Sequence, residues 1–338
     1  MIPHNLPSLD KEEEIAALRV LNSKQLSQDQ EVKAFEDEFC SFLGLPPGHA
    51  VALSNGTSSL YLALKVLNPH EKKILFPGYV CSALRHAVSM AGGIEKIVDT
   101  SKNSPNLDMN TLSKNEHDIS IVPHMYGIPI LIEKNNSLLI EDCCQALGAK
   151  INKKMVGLHG DVGIFSFYAT KLMTSGGQGG MFVSTNKEYV DSVRDYREFD
   201  LRNDTKIRFN FKMTDLQAAI GRSQLKKLPS FLKRREEIFQ YYKKSGLDLL
   251  DVDEKYHGIL EPVRYRAIMK TDNPIKIINS LESKGVKAIV PTEDWELLDD
   301  WNKIPNSLEL SHQTVSLPIY PSLTNEQIDT ILSAVIVK

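Results

Sequence analysis

The chain has 338 residues, 42% apolar and 25% charged, with 40 Lys+Arg against 43 Asp+Glu for a net charge of -3. At ~100–200 residues per domain this length predicts about two domains. The charge balance excludes a nucleic-acid partner, and no stretch approaches the ~18 consecutive apolar residues of a membrane span.

The opening MIPHNLPSLDKEEE is acidic and does not read as a signal peptide. Helical spacing follows over Glu12–Leu21 and Glu31–Leu43. From Ala50 the texture changes to short apolar runs: Ala50–Leu53, Ile74–Phe76, Ile94–Val98, Ile119–Pro123, Leu138–Ile140, Gly163–Phe167 and Met181–Ser184. Helical patterns alternate with several of these; Thr57–Leu67, for instance, sets Leu60, Ala63, Leu64 and Leu67 on one face. The alternation predicts an α/β fold with a mostly parallel seven-stranded sheet covered on both faces, in which ligands gather at the carboxyl ends of the strands. Two helices are expected over Leu216–Leu228 and Phe231–Tyr242. After them come Val263–Met269, a helix near Ile275–Lys284, Val286–Val290 and a last helix near Asn325–Val335. The expected division is a large domain, 1–240, and a small C-terminal α+β domain, 241–338. Four cysteines, two of them adjacent (Cys143, Cys144), form no disulfide or zinc framework. The expected setting is therefore a reducing cytoplasm, where the sequon Asn135-Asn136-Ser137 goes unused and no metal is required.

Three segments place polar residues directly after an apolar strand. Ser54-Asn55-Gly56-Thr57-Ser58 leads into a helix, where free backbone N–H groups face an anion; ordinary helix capping explains the same residues equally well. Glu141-Asp142 ends a strand, a position that suits a ribose hydroxyl, a metal or a protonated ring nitrogen, and a solvated strand end is the plain alternative. Side chains alternate along a strand, so only one of the two acids is expected to enter a site. Ser166 and Lys171 precede the glycine-rich run Ser175-Gly176-Gly177-Gln178-Gly179-Gly180. A lysine in a partly apolar pocket has a depressed pKa and serves as an amine nucleophile, although most lysines lie on surfaces. Together the three segments supply a phosphate cradle, a carboxylate and an amine, which are the parts pyridoxal 5'-phosphate (PLP) needs.

The chain resembles the DegT/StrS family of PLP-dependent sugar aminotransferases. The resemblance is carried by PSLDKEE, EVKAFE, SNGTSSLYLAL, IVPHMYG, IEDCCQALGA, GDVGIFSFYATK, FKMTDLQAAIG and VSLPIYPSLTNEQI in the same order. It implies the type I aspartate-aminotransferase (PLP-transferase) fold and transfer of an amino group from a donor, glutamate, to a nucleotide-linked keto-sugar. By resemblance Lys171 holds the cofactor's aldehyde as an imine and shuttles the proton. Asp142 partners the pyridine nitrogen, with Glu141 as a non-catalytic neighbour, and Gln145 lies beside the phenolic oxygen. Gly56, Thr57 and Ser166 cradle the phosphate. Asn210 resembles the asparagine that reaches a phosphate across a dimer interface, which implies a homodimer with shared sites. Cys81 aligns where relatives often stack an aromatic residue on the ring, with Tyr79 as the alternative contact. Gln178 replaces a frequent glutamate, and Val290–Trp295 departs from a Tyr- and His-bearing segment.

Other readings weigh against this one. A non-catalytic PLP-binding or regulatory homologue would share most of these residues. The dehydratases of the same family carry histidine where this chain has Lys171. A nicotinamide-dependent dehydrogenase fits the alternation but lacks the glycine fingerprint after the first strand. Cys143 or Cys144 with His124 or His159 suggests a thiol nucleophile, against which stands simple burial of the cysteines. Trp295 and Trp301 are expected to pack within the small domain rather than line a cleft.

Overall fold

The computed structural model describes residues 1–133 and 136–335; Asn135 of the sequon lies outside them. Two N-terminal helices, α1 (Lys11–Ser23) and α2 (Gln30–Leu43), precede the first strand. Asp10 opens α1 with a reciprocal capping box to Glu13, and Gly44 closes α2 in the left-handed conformation. The strands that follow are β1 (Ala50–Leu53), β2 (Lys73–Pro77), β3 (Ile94–Val98), β4 (Ile119–Pro123) and β5 (Leu138–Asp142). Next come the two-residue strands β6 (Lys150–Ile151) and β7 (Lys154–Met155), then β8 (Val162–Ser166) and β9 (Gly180–Val183). Seven of them form one sheet in the order β1-β9-β8-β5-β4-β2-β3. All neighbours in it are parallel except β9, which runs antiparallel to β1 and β8.

Helix α3 (Gly56–Val66) lies against β8 and β9 on one face of the sheet; α4 (Ala83–Ala91), α5 (Met109–Lys114) and α6 (Lys187–Arg197) follow it along the chain, and the short strand β10 (Leu260–Glu261) pairs with β6. On the other face Phe35 and Phe39 of α2 meet Phe167 and Phe165 at ring-centroid distances of 5.2 and 5.1 Å. The period-2 alternation of β8 therefore sends Phe165 toward α2, and Ile164 and Ser166 toward the N-terminus of α3.

The expected pair of helices near residues 216–242 is one helix, α7 (Asp215–Lys244), with Pro229 inside it. Proline removes one hydrogen bond from such a helix. Burial of Leu225, Leu228 and Phe231 around the proline, and of Ile238, Phe239 and Tyr242 beyond it, holds the helix together across that defect. A second apolar core gathers Ile238, Phe239 and Tyr242 with Leu249, Ala267, Leu281, Val315 and Ile331. Its framework is β11 (Ala267–Lys270) paired antiparallel with β12 (Thr314–Leu317), flanked by α8 (Pro274–Ser283) and α10 (Asn325–Val335). The sequence reading missed both β12 and α9 (Pro305–His312). Val286–Val290 makes only isolated bridges, Val286 to Ile2 and Ile289 to Ser316. The N-terminus thus packs against the C-terminal unit, while Val252, Val263 and Tyr265 join the core of the large sheet. Among the described residues no helix is long and apolar enough to cross a membrane.

Candidate active site

At the carboxyl ends of β5 and β8 lies a cavity of about 250 Å³, and Gly56, Thr57, Cys81, Asp142, Gln145, Ser166 and Lys171 all line it. Its floor is the β1–α3 turn. Asn55 caps α3 by accepting the Ser58 N–H at 2.8 Å, and Ser58 Oγ accepts the Asn55 N–H at 3.2 Å. The N–H groups of Gly56 and Thr57 sit in the first turn of α3, where no helical carbonyl can reach them, so they are available to an anion. Gly56 is required by close approach. A Cβ there would stand 2.9 Å from Ser166 Cβ, 3.2 Å from its Oγ and 3.3 Å from Cys144 Sγ.

Glu141 and Asp142 face opposite sides of β5. Asp142 is 9% exposed, lines the cavity and accepts the Cys144 N–H at 3.0 Å. Glu141 is fully buried and accepts the N–H groups of Gly157, His159 and Gly160 together with His124 Nε2. Burial alone would raise its carboxyl. The His124 ring and the N–H groups of Gly157 and Gly160 hold it below its ordinary range. His124 Nδ1 in turn accepts the Ile130 N–H at 3.2 Å, so both ring nitrogens are committed to the scaffold. This removes His124 from any thiol chemistry, and His159 bonds Lys154 O instead. Burial, with the nearby carboxylates, pushes the Cys143 thiol well up, and burial with Asp142 does the same for Cys144. A raised thiol pKa weighs against either cysteine as a nucleophile.

Gln145 Oε1 accepts the Tyr126 N–H at 2.8 Å, which fixes its amide. Tyr126 itself sits at φ 59°, an uncommon conformation for an aromatic residue. Its hydroxyl donates to Tyr79 Oη at 3.1 Å and lies 3.2 Å from Thr292 Oγ1. Tyr79 is thereby fully buried and lies outside the cavity wall, whereas Cys81 is exposed and lines it. Of the two residues the sequence offered for ring contact, Cys81 lines this cavity and Tyr79 does not. Tyr168, 44% exposed on the same wall, was not singled out by the sequence.

Lys171 closes a turn through its N–H to Tyr168 O at 2.9 Å, and its Nζ lies 5.1 Å from the centroid of the Tyr265 ring. The sequence predicts a depressed pKa for this lysine, and the structure gives the opposite direction. Burial does lower it, but Tyr265, Cys144, Asp142 and Cys81 together carry it above the ordinary lysine value. The expectation counted the desolvation and could not see the acidic side chains gathered around the amine.

A second cavity of about 470 Å³ shares Lys171, Cys81 and Gln145 with the first and is also lined by Tyr265, Arg266, Thr292 and Trp295. Trp295 is 76% exposed on this wall rather than packed, and Trp301, 48% exposed, donates its Nε1–H to Asp294 O at 3.3 Å. Tyr265 and Arg266 were missed by the sequence reading. Their only signal was a pair of polar residues opening an apolar run, and nothing local ties them to Lys171. Asn210 is not brought to either cavity of its own chain. It is exposed, its Oδ1 accepts the Lys212 N–H at 3.1 Å, and exposed Ile207 and Phe209 precede it.

The sequence profile of the DegT/DnrJ/EryC1/StrS aminotransferase family matches residues 7–336. A spore coat polysaccharide biosynthesis protein, SpsC, of Bacillus subtilis is 28% identical, with 99% of this chain and 96% of that protein covered. A UDP-4-amino-4,6-dideoxy-N-acetyl-beta-L-altrosamine transaminase of Campylobacter jejuni is 31% identical over 72% of this chain and 69% of that one. A Streptococcus pneumoniae structure in its PLP form superposes with a TM-score of 0.89 at 20% identity, covering 99% of this chain and 97% of the other. The chain belongs to the DegT/DnrJ/EryC1/StrS aminotransferase family. It is an aminotransferase, with PLP as its cofactor.

Proposed function

We propose that this enzyme moves an amino group from glutamate to a nucleotide-linked keto-sugar, acting in the cytoplasm as a homodimer. The observation that carries this reading is the convergence on one cavity of an amine, a carboxylate and an anion cradle from three separate chain segments. The residues present fit PLP. Gly56, Thr57 and Ser166 would hold its phosphate, since the α3 N-terminus offers free N–H groups and a Cβ at Gly56 would fill the space. Asp142 would hold the pyridine nitrogen, Gln145 the phenolic oxygen, and Cys81 would lie beside the ring. Bound there, the cofactor supplies an electron sink for a carbon losing its proton.

The chain's own groups do the rest. Lys171 is the attachment point and the base. Freed by the incoming amine, it takes the proton from the donor's α-carbon and later returns one to the acceptor. Asp142, held by the Cys144 N–H, keeps its partner nitrogen protonated. Substrates enter between two domains, residues 1–240 and 241–338. Asn210 of each subunit completes the partner's phosphate site. The names of the relatives support a nucleotide-linked sugar as substrate.

The test is to incubate purified protein with glutamate and a panel of UDP- and GDP-linked keto-sugars and to follow amino-sugar formation. Turnover with at least one acceptor, abolished in Lys171→Ala, is expected. Protein that carries PLP yet never converts to the amine form with glutamate would instead be a non-catalytic homologue.

A further inference from the structure

Arg266 differs from the other arginines in what neutralises it. Among the described residues every other arginine except Arg235 has a carboxylate partner. Arg235 is fully buried on α7 and donates Nη1 to the carbonyls of Arg264, Tyr265 and Ile319. Arg266 keeps one long contact, Nη1 to Ser316 Oγ at 3.4 Å, and that hydroxyl already meets His4 Nε2 at 2.8 Å. The guanidinium is half-buried in the wall of the second cavity, with Lys171, Tyr126, Gln145 and Thr292. Its Cζ lies 5.5 Å from the Tyr265 ring centroid, and Lys171 Nζ lies 5.1 Å from the same point. Among the described residues the one acid on that wall is Glu296, whose Oε2 accepts the Glu293 N–H at 2.8 Å.

Two cations against one ring, one of them without a carboxylate, make a subsite that gains from an arriving anion. A guanidinium presents paired N–H donors in a fork that matches a carboxylate or a phosphate. The position selects between the two. A donor's α-carboxylate is bonded to the very carbon whose proton Lys171 must reach. A nucleotide's phosphate stands several bonds from the reacting carbon of its sugar. We propose that Arg266 binds the α-carboxylate of the amino donor. The assignment rests on the reading of the enzyme as an amino-acid-dependent transaminase and goes further by naming the residue that holds the donor.

The experiment separates the two half-reactions. PLP-loaded wild type, Arg266→Gln and Arg266→Lys are titrated with glutamate while the absorbance change to the amine form is followed. Binding of maleate, an unreactive dicarboxylate, is measured on the same samples. Cofactor affinity and borohydride labelling of Lys171 serve as controls. Loss of a charge-assisted contact predicts about 10- to 100-fold weaker glutamate and maleate binding in Arg266→Gln. Arg266→Lys should recover part of it, because the charge remains and the fork is lost. Conversion of the amine form by a keto-sugar should keep its wild-type concentration dependence, and cofactor affinity should be unchanged. Unchanged glutamate and maleate dependence in both variants would overturn the assignment. So would a defect confined to the keto-sugar half-reaction, which would make the bound anion the nucleotide's phosphate. Failure of the underlying reading looks different, since the wild type itself would then not respond to any amino acid.

Discussion

Lys171 Nζ lies 5.1 Å from the ring centroid of Tyr265, a residue nearly one hundred positions later that is itself buried. The two influence each other. Burial raises the Tyr265 hydroxyl, but Lys171 and then Arg266 draw it below its ordinary value, while Tyr265 is the largest of the groups holding the Lys171 ammonium up. Tyr265→Phe keeps the ring and removes the ionisable oxygen, so the Lys171 pKa should fall. The pH profile of PLP capture by cofactor-free protein reads this directly, because only the neutral amine attacks the aldehyde. Its midpoint should move to lower pH in Tyr265→Phe, and an unmoved midpoint would show that the two groups are not coupled.

Gly56→Ala introduces a Cβ into the cradle at 2.9 Å from Ser166 Cβ. Overpacking of this kind costs about 1–3 kcal/mol, and here it falls on the phosphate site. PLP affinity, followed by fluorescence titration, should drop about tenfold or more. Combining it with Ser166→Gly should relieve the clash and leave only the loss of the Ser166 hydroxyl.

Glu141 organises the 157–160 loop through three backbone N–H groups and His124. Glu141→Ala should destabilise the protein by about 3–5 kcal/mol, since it strands buried donors. The lowered carboxyl of Glu141 stabilises the fold above the unfolded carboxylate pKa, and this contribution is lost as pH falls through the folded value. Glu141→Gln should therefore show a weaker acid-side fall in Tm than the wild type.

His4, bonded to Ser316 Oγ at 2.8 Å, has its pKa lowered to about 3, by burial first and then by Arg266 and Lys287. The folded state holds the ring neutral, so its contribution is complete above pH ~6.5 and is lost as the unfolded chain takes up a proton below that. Between pH 6.5 and 5 the loss is at most about 2 kcal/mol, less for whatever solvent reaches the ring. A His4→Gln variant should flatten the melting-temperature profile across that interval. An unchanged profile would mean that the ring titrates normally.

Asn210 faces neither cavity of its own chain, and the proposed dimer delivers it to the partner. Asn210→Asp, which sets a carboxylate against the phosphate, and Lys171→Ala should each be inactive as homodimers. Mixing them under exchange conditions should restore activity, because one site of each hybrid carries neither change. No recovery on mixing would place Asn210 in its own subunit's machinery, and an active Asn210→Asp homodimer would place it outside the machinery altogether.

Much of this protein was legible in its sequence. The seven strands of the sheet were readable because each is a short run bounded by turn residues, mostly buried in all but the edge strand β3, and Asp142, Gln145, Ser166 and Lys171 lie at or just after the ends of two of them, closely enough to be grouped by position. The α7 helix was read as two because Pro229 is a local signal, whereas the packing that carries the helix past it is not. β12 was missed because Thr314–Leu317 acquires its meaning only by pairing with Ala267–Lys270, more than forty residues earlier.

What the sequence determined by itself is the set of groups at the strand ends, since a strand feeding a turn projects its next residues into the same crevice whatever else surrounds them. Only the tertiary structure decided their electrostatic state and the opposite wall. The charge on Lys171 depends on Tyr265, and Arg266 comes to stand 5.5 Å from the same ring centroid with no carboxylate partner among the described residues. Coulombic effects act through space between segments that the sequence keeps far apart, so neither could be read along the chain.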